Sequence, residues 1–159
     1  CGIRIGALVC KNQSVKESVM KFCQARLSPP LIGQVIAEAS IDTPAEYMQE
    51  MYNEYLERRN YLIEGLNKIP GVYSAVPMGA FYTVARLPID DSDKFCAWLL
   101  SEFEYEKQTV MMAPASGFYT MKNVGCNEVR LAYVLNKEDL EKALFILKKA
   151  LEVYPGRTK

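Results

Sequence analysis

The chain has 159 residues, 50% of them apolar, enough to bury a core and about the size of one domain or one and a part. Nineteen Lys and Arg balance nineteen Asp and Glu, so no basic field points to nucleic acid or to an anionic membrane. No apolar run approaches the roughly 18 residues of a membrane span, and with no histidine the commonest general base is missing. The five cysteines (Cys1, Cys10, Cys23, Cys96 and Cys126) are odd in number and contain no Cys-x-x-Cys pair. They read as reduced core thiols of a cytoplasmic protein, neither a disulfide frame nor a zinc site.

The chain begins with neither an initiator Met nor a signal peptide. Ile5–Cys10 is a nearly continuous apolar run, the pattern of a strand buried on both faces. Lys11-Asn12-Gln13 forms the predicted turn, and Ser14-Val15-Lys16-Glu17 a capping box for a helix to about Leu27. Ser28-Pro29-Pro30 then ends that helix and starts another, with Ser28 as cap and the prolines where no amide donor is needed. Thr43-Pro44-Ala45-Glu46 is the strongest start signal of the sequence, opening a long helix to about Lys68 that Ile69-Pro70-Gly71 terminates. Tyr47, Met51, Tyr55, Leu62 and Leu66 form its imperfect apolar stripe.

After Gly71 the texture changes to short strand-like runs, Tyr73–Val76, Phe81–Leu87, Thr109–Met112 and Val129–Val134. Asp90 or Asp91 caps an interleaved helix carrying Phe95, Trp98, Leu99 and Phe103 on one face. Asn136 and Asp139 open the last, with Leu140, Leu144, Leu147 and Leu151 inward. The expected fold class is α/β, with an α+β C-terminal unit in which helices back a sheet. The expected boundary lies inside the long helix, giving regions 1–55 and 56–159.

Two arginines stand out chemically. Arg4 lies between Gly2 and Gly6, where a permanent cation with open backbone on either side suits an anion anchor. Arg130, among Asn127-Glu128-Val129-Arg130-Leu131-Ala132, presents a planar fork suited to a carboxylate. Either could instead be a strand-end arginine reaching for water, and Arg86 sits in a similar context.

Gly2-Ile3-Arg4-Ile5-Gly6 before a strand pattern, and Arg130-Leu131-Ala132 before a last helix, resemble the C-terminal part of class I, fold-type I pyridoxal-phosphate aminotransferases typified by aspartate aminotransferase. Gly79-Ala80-Phe81-Tyr82 and Val110-Met111-Met112-Ala113-Pro114-Ala115-Ser116-Gly117-Phe118 fit the same order, with Ala115 where the family usually has glycine. The resemblance covers essentially all of this chain. It implies the end of a large cofactor-binding domain over 1–55, including part of the long linking helix, and a small domain over 56–159. It implies pyridoxal 5'-phosphate as cofactor, amino acid and 2-oxo acid as substrates, and a homodimer, with no nucleic-acid or membrane partner. It assigns Arg4 to the cofactor phosphate and Arg130 to the substrate α-carboxylate. The cofactor-holding lysine, and the aspartate on the pyridine nitrogen, would precede Cys1, so no catalytic residue is expected within the chain and the fragment itself should be inactive. Arg26 is offset from the arginine that binds a distal carboxylate in some dicarboxylate-specific members and reads as structural.

Three other functions fit parts of the pattern. A pyridoxal-phosphate lyase or aminocyclopropane-carboxylate-synthase-like relative would use both arginines equally. A free-standing α+β interaction module would use neither. An N-terminal Cys1 nucleophile would need strands that build a sandwich, whereas one strand here feeds three helices.

Overall fold

A computed structural model describes residues 2–158. They fall into two compact units that divide between Gln49 and Glu50, inside the long helix.

In the first unit, residues 4–10 form no regular structure, and helix α1 (Gln13–Arg26) follows. Asn12 caps α1, its side chain accepting from the Val15 amide at 3.2 Å. Ser14 therefore lies inside the helix, and the predicted box is displaced by two residues. Helix α2 (Leu31–Ala39) begins after Pro30 with no side-chain cap, so Ser28 does not cap it and both prolines precede it. A 3₁₀ turn, Ser40–Asp42, leads to helix α3 (Ala45–Asn67). The Thr43 hydroxyl donates to the Ser40 carbonyl at 2.7 Å and closes that 3₁₀ turn.

The predicted strand Ile5–Cys10 is not formed. A strand is held by ladder bonds to a neighbour, and the four-stranded sheet draws all its strands from the second unit. Gly33 on α2 is the sole buried residue among those described in the first unit. A Cβ there would meet Ile3 Cγ2 at 3.4 Å, so the N-terminal segment lies close against α2.

The second unit is the α+β body. Strands β1 (Tyr73–Ser74), β2 (Tyr82–Arg86), β3 (Ala113–Pro114) and β4 (Glu128–Ala132) form an antiparallel sheet in the order β1-β2-β4-β3. The predicted run Thr109–Met112 stays outside the ladder, which begins at Ala113 opposite Arg130. Ala115 has φ −95°, an ordinary right-handed conformation that needs no glycine.

Residues alternate strictly along β2: Thr83 and Ala85 point into the core, while Tyr82, Val84 and Arg86 are exposed. The inward face packs on the C-terminal half of α3 through Leu62 and Leu66, on helix α4 (Ser92–Ser101) through Phe95 and Leu99, and on helix α5 (Lys137–Val153) through Leu140, Leu147 and Leu151. Both predicted caps form: Asp91 accepts from the Lys94 amide at 3.0 Å and Asn136 from the Asp139 amide at 2.8 Å. Asn67, ending α3, exchanges two hydrogen bonds with the Ser74 backbone, at 2.9 and 3.0 Å, and so fixes β1 to the helix. Of the cysteines expected in the core, only Cys96 is buried among the four described. Cys23 is exposed, Cys10 and Cys126 are half-buried, and Cys1 lies outside the described residues.

Candidate functional site

The sheet's outward face carries Arg130. Val129 is fully buried, so strand alternation puts Arg130 on the opposite, exposed face with Tyr82 and Val84 of β2. Arg130 stands opposite Val84 and Ala113 in register, which places it on a strand paired on both sides. Its guanidinium carbon lies 5.1 Å from the Tyr82 ring centroid and 5.0 Å from that of Phe118. Two aromatic rings thus lie near one cation, each contact favourable. Among the described residues no carboxylate is paired with it. The N–H groups of a guanidinium take carboxylates two bonds at a time.

Phe118 comes from the 3₁₀ turn Ser116–Phe118, whose amide bonds back to Ala115 O at 3.0 Å. Next to it, the Tyr119 hydroxyl donates to Glu128 Oε2 at 2.5 Å. That bond is the main reason the Tyr119 phenol titrates above its ordinary range. The Tyr119 ring lies over Gly125, which has φ +72° and where a Cβ would come within 2.3 Å of the ring. Glycine is required there on both counts.

Arg86 shares the outward face opposite Glu128, and its guanidinium lies 5.7 Å from the Tyr73 centroid. It lacks the second ring that brackets Arg130. Arg26 sits in the exposed last turn of α1, before Leu27 at φ +69°.

Arg4 is exposed in the irregular segment, not at a sheet edge, and is itself in the left-handed region at φ +58°. Nothing lies within 4 Å of a Cβ placed on Gly2 or Gly6, so the backbone on both sides is open to an approaching group. A permanent cation flanked by open backbone fits the phosphate end of a phosphorylated cofactor. The two lysines whose pKa moves, Lys137 beside Glu57 and Lys149 beside Glu152, both move up, their charged forms stabilised by hydrogen bonds to those carboxylates. A reactive lysine amine requires the opposite shift.

The sequence singles out Arg130 as a candidate but does not show Phe118, Tyr82 and Tyr119 around it. The outward alternation of Tyr82 in β2 was a usable signal. Nothing local to Phe118 ties it to a residue twelve positions on.

In the second unit an arginine lies between two aromatic rings on the open face of a small antiparallel sheet, and in the first unit an exposed arginine lies in a glycine-flanked turn. The chain belongs to the aminotransferase class I and II family, whose model matches residues 1–147. It is similar to an aspartate aminotransferase of Pyrococcus horikoshii, 32% identical over 161 residues that cover 95% of this chain and 38% of that protein. A probable aspartate/prephenate aminotransferase of Aquifex aeolicus is 31% identical over 153 residues, again 95% and 38% of the two chains. Among solved structures, the aspartate aminotransferase of Thermotoga maritima matches with TM-score 0.74 at 29% identity, over 95% of this chain and 36% of its own. The chain therefore spans well under half the length of these relatives.

Proposed function

We propose that the chain carries the anion-binding part of an aspartate-type, pyridoxal-phosphate-dependent aminotransferase, which moves an amino group between an amino acid and a 2-oxo acid. Residues 1–55 end the larger cofactor-binding domain and 56–159 form the small domain. The observation that carries the reading is Arg130, exposed on the sheet between Tyr82 and Phe118 and paired with no carboxylate among the described residues.

The fork of Arg130 binds the substrate α-carboxylate with two charge-assisted bonds and fixes the plane in which it lies. The neighbouring rings restrain the guanidinium through their cation–π contacts. Fixing the carboxylate fixes the α-carbon attached to it, so the C–H bond is presented in one direction. Arg4 binds the phosphate of the cofactor. When bound, the cofactor supplies an electron sink for the carbanion left by α-proton loss. There is no histidine to move that proton, and the Lys137 and Lys149 amines are shifted up by their carboxylate partners, away from a basic role. The 159 residues on their own are therefore expected to bind anions without transaminating.

The test is a product assay on the full-length enzyme carrying this chain, with L-aspartate and 2-oxoglutarate. Formation of glutamate and oxaloacetate in equal amounts is expected, and none from the 159-residue chain under the same conditions. Ammonia release in place of glutamate would move the reading to a lyase; turnover by the 159 residues alone would overturn it.

A further inference from the structure

We propose that Tyr119 is a positioning residue that keeps the Arg130 fork open by holding the Glu128 carboxylate away from it. The proposal rests on the reading of Arg130 as the carboxylate-binding arginine and adds a residue that this reading does not use.

Glu128 and Arg130 are alternate residues of β4, so both project from the same face of the sheet. Their Cα atoms are only about 6.6 Å apart at strand rise, within reach of a glutamate and an arginine side chain. A half-buried glutamate so close to a guanidinium is a built-in competitor for any carboxylate substrate. In the structure it does not compete. One of its oxygens, Oε2, accepts from Tyr119 at 2.5 Å, and no ion pair joins it to Arg130.

The hold is rigid for three reasons. Tyr119 is fixed by its ring on Gly125, where even a methyl group would collide with it. The turn before it is fixed by the Phe118 amide bond to Ala115 O at 3.0 Å and by the Ser116 hydroxyl donating to Asp93 Oδ2 at 2.5 Å. Phe118, next in sequence, stacks on Arg130 itself. The same short segment therefore grips both the cation and its internal rival, and separates them. Tyr119 does not touch the substrate carboxylate; it acts through Glu128.

The experiment compares four forms of the full-length enzyme: parent, Tyr119→Phe, Tyr119→Phe with Glu128→Gln, and Arg130→Ala. KM and kcat are measured for amino acid and 2-oxo acid, with thermal midpoints and cofactor affinity recorded for each. Phenylalanine keeps the ring on Gly125 and removes only the hydroxyl. The released Glu128 then competes for the fork, so KM for both substrates should rise about five- to tenfold while kcat stays within about twofold, the pattern of lost ground-state binding. Adding Glu128→Gln removes the competing charge and should restore KM to within about twofold of the parent. A merely structural role for Tyr119 would not be rescued by changing Glu128. The proposal is overturned if Tyr119→Phe leaves KM unchanged, which would mean that Glu128 turns to water or to Arg86 opposite it. It is equally overturned if the double variant stays as impaired as Tyr119→Phe. Arg130→Ala separates the two readings: without effect it removes the site itself, whereas a large effect beside a silent Tyr119→Phe removes only the positioning role.

Discussion

Truncating Leu66 to alanine tests where the core of the chain lies. Leu66 is fully buried on the C-terminal half of α3, against the cluster that joins β2, β4, α4 and α5. The change replaces the buried isobutyl group by a methyl and leaves a cavity that a packed helix cannot collapse into, a combined cost of about 3 kcal/mol. The region unfolding is about a hundred residues, for which each kcal/mol moves the midpoint by roughly 4–8 °C. A drop on the order of 10–20 °C is therefore expected. Trp98, the one tryptophan, packs between Phe95, Phe103 and Tyr154 and reports the transition by fluorescence. Met51 belongs to the same apolar stripe, one stretch earlier in α3, but is exposed, so Met51→Ala in the 159-residue chain should change stability by less than about 0.5 kcal/mol. Equal losses from the two substitutions would refute the division of α3 into a buried half and an exposed half.

Gly125→Ala combines a positive φ with a collision against the Tyr119 ring, and urea denaturation should show a loss of about 2 kcal/mol. Burial pushes the Cys96 thiol up from 9.0 to about 11, so it should resist a disulfide reagent until the protein unfolds, while exposed Cys23 reacts at once. Because the folded state holds that proton more tightly than the unfolded one, the associated stability is present below pH 9.0 and lost as pH rises towards about 11. Cys96→Ala should flatten the alkaline part of a stability–pH curve by that component. Amide exchange in the 159-residue chain should be slow in β2, β4 and α5 and fast over residues 2–41, which bury only Gly33; similar protection of both would contradict the burial pattern.

What the sequence revealed depended on how far each signal reaches. Asn136 and Asp91 were readable as caps because the donor each satisfies lies three residues away. The first cap was misread as Ser14 because Asn12, two residues earlier, satisfies the Val15 amide first. Ile5–Cys10 has strand composition, but a strand exists only where a partner pairs with it, and pairing is non-local. For the same reason the third strand lies at Ala113–Pro114, where β4 offers a register, and not at the apolar run Thr109–Met112. Arg130 stands out as a candidate through its residue type, its strand and the helix that follows. Its bracket was hidden, because a loop and a neighbouring strand bring Phe118 and Tyr82 to it. The Tyr119–Glu128 bond was hidden in the same way.

The most direct measurement is steady-state kinetics beside a cofactor titration for Arg130→Ala, Arg130→Lys and Arg4→Ala in the full-length enzyme. Charge-assisted bonds contribute roughly 1.5–3 kcal/mol each, so Arg130→Ala should lower kcat/KM by about two orders of magnitude and leave cofactor affinity nearly unchanged. Arg130→Lys should recover only part of that loss, because a point charge cannot reproduce the fork. Arg4→Ala should weaken cofactor binding before substrate binding. A folded Arg130→Ala enzyme whose kcat/KM stays within a few-fold of the parent would contradict the carboxylate assignment and leave only the family and the fold.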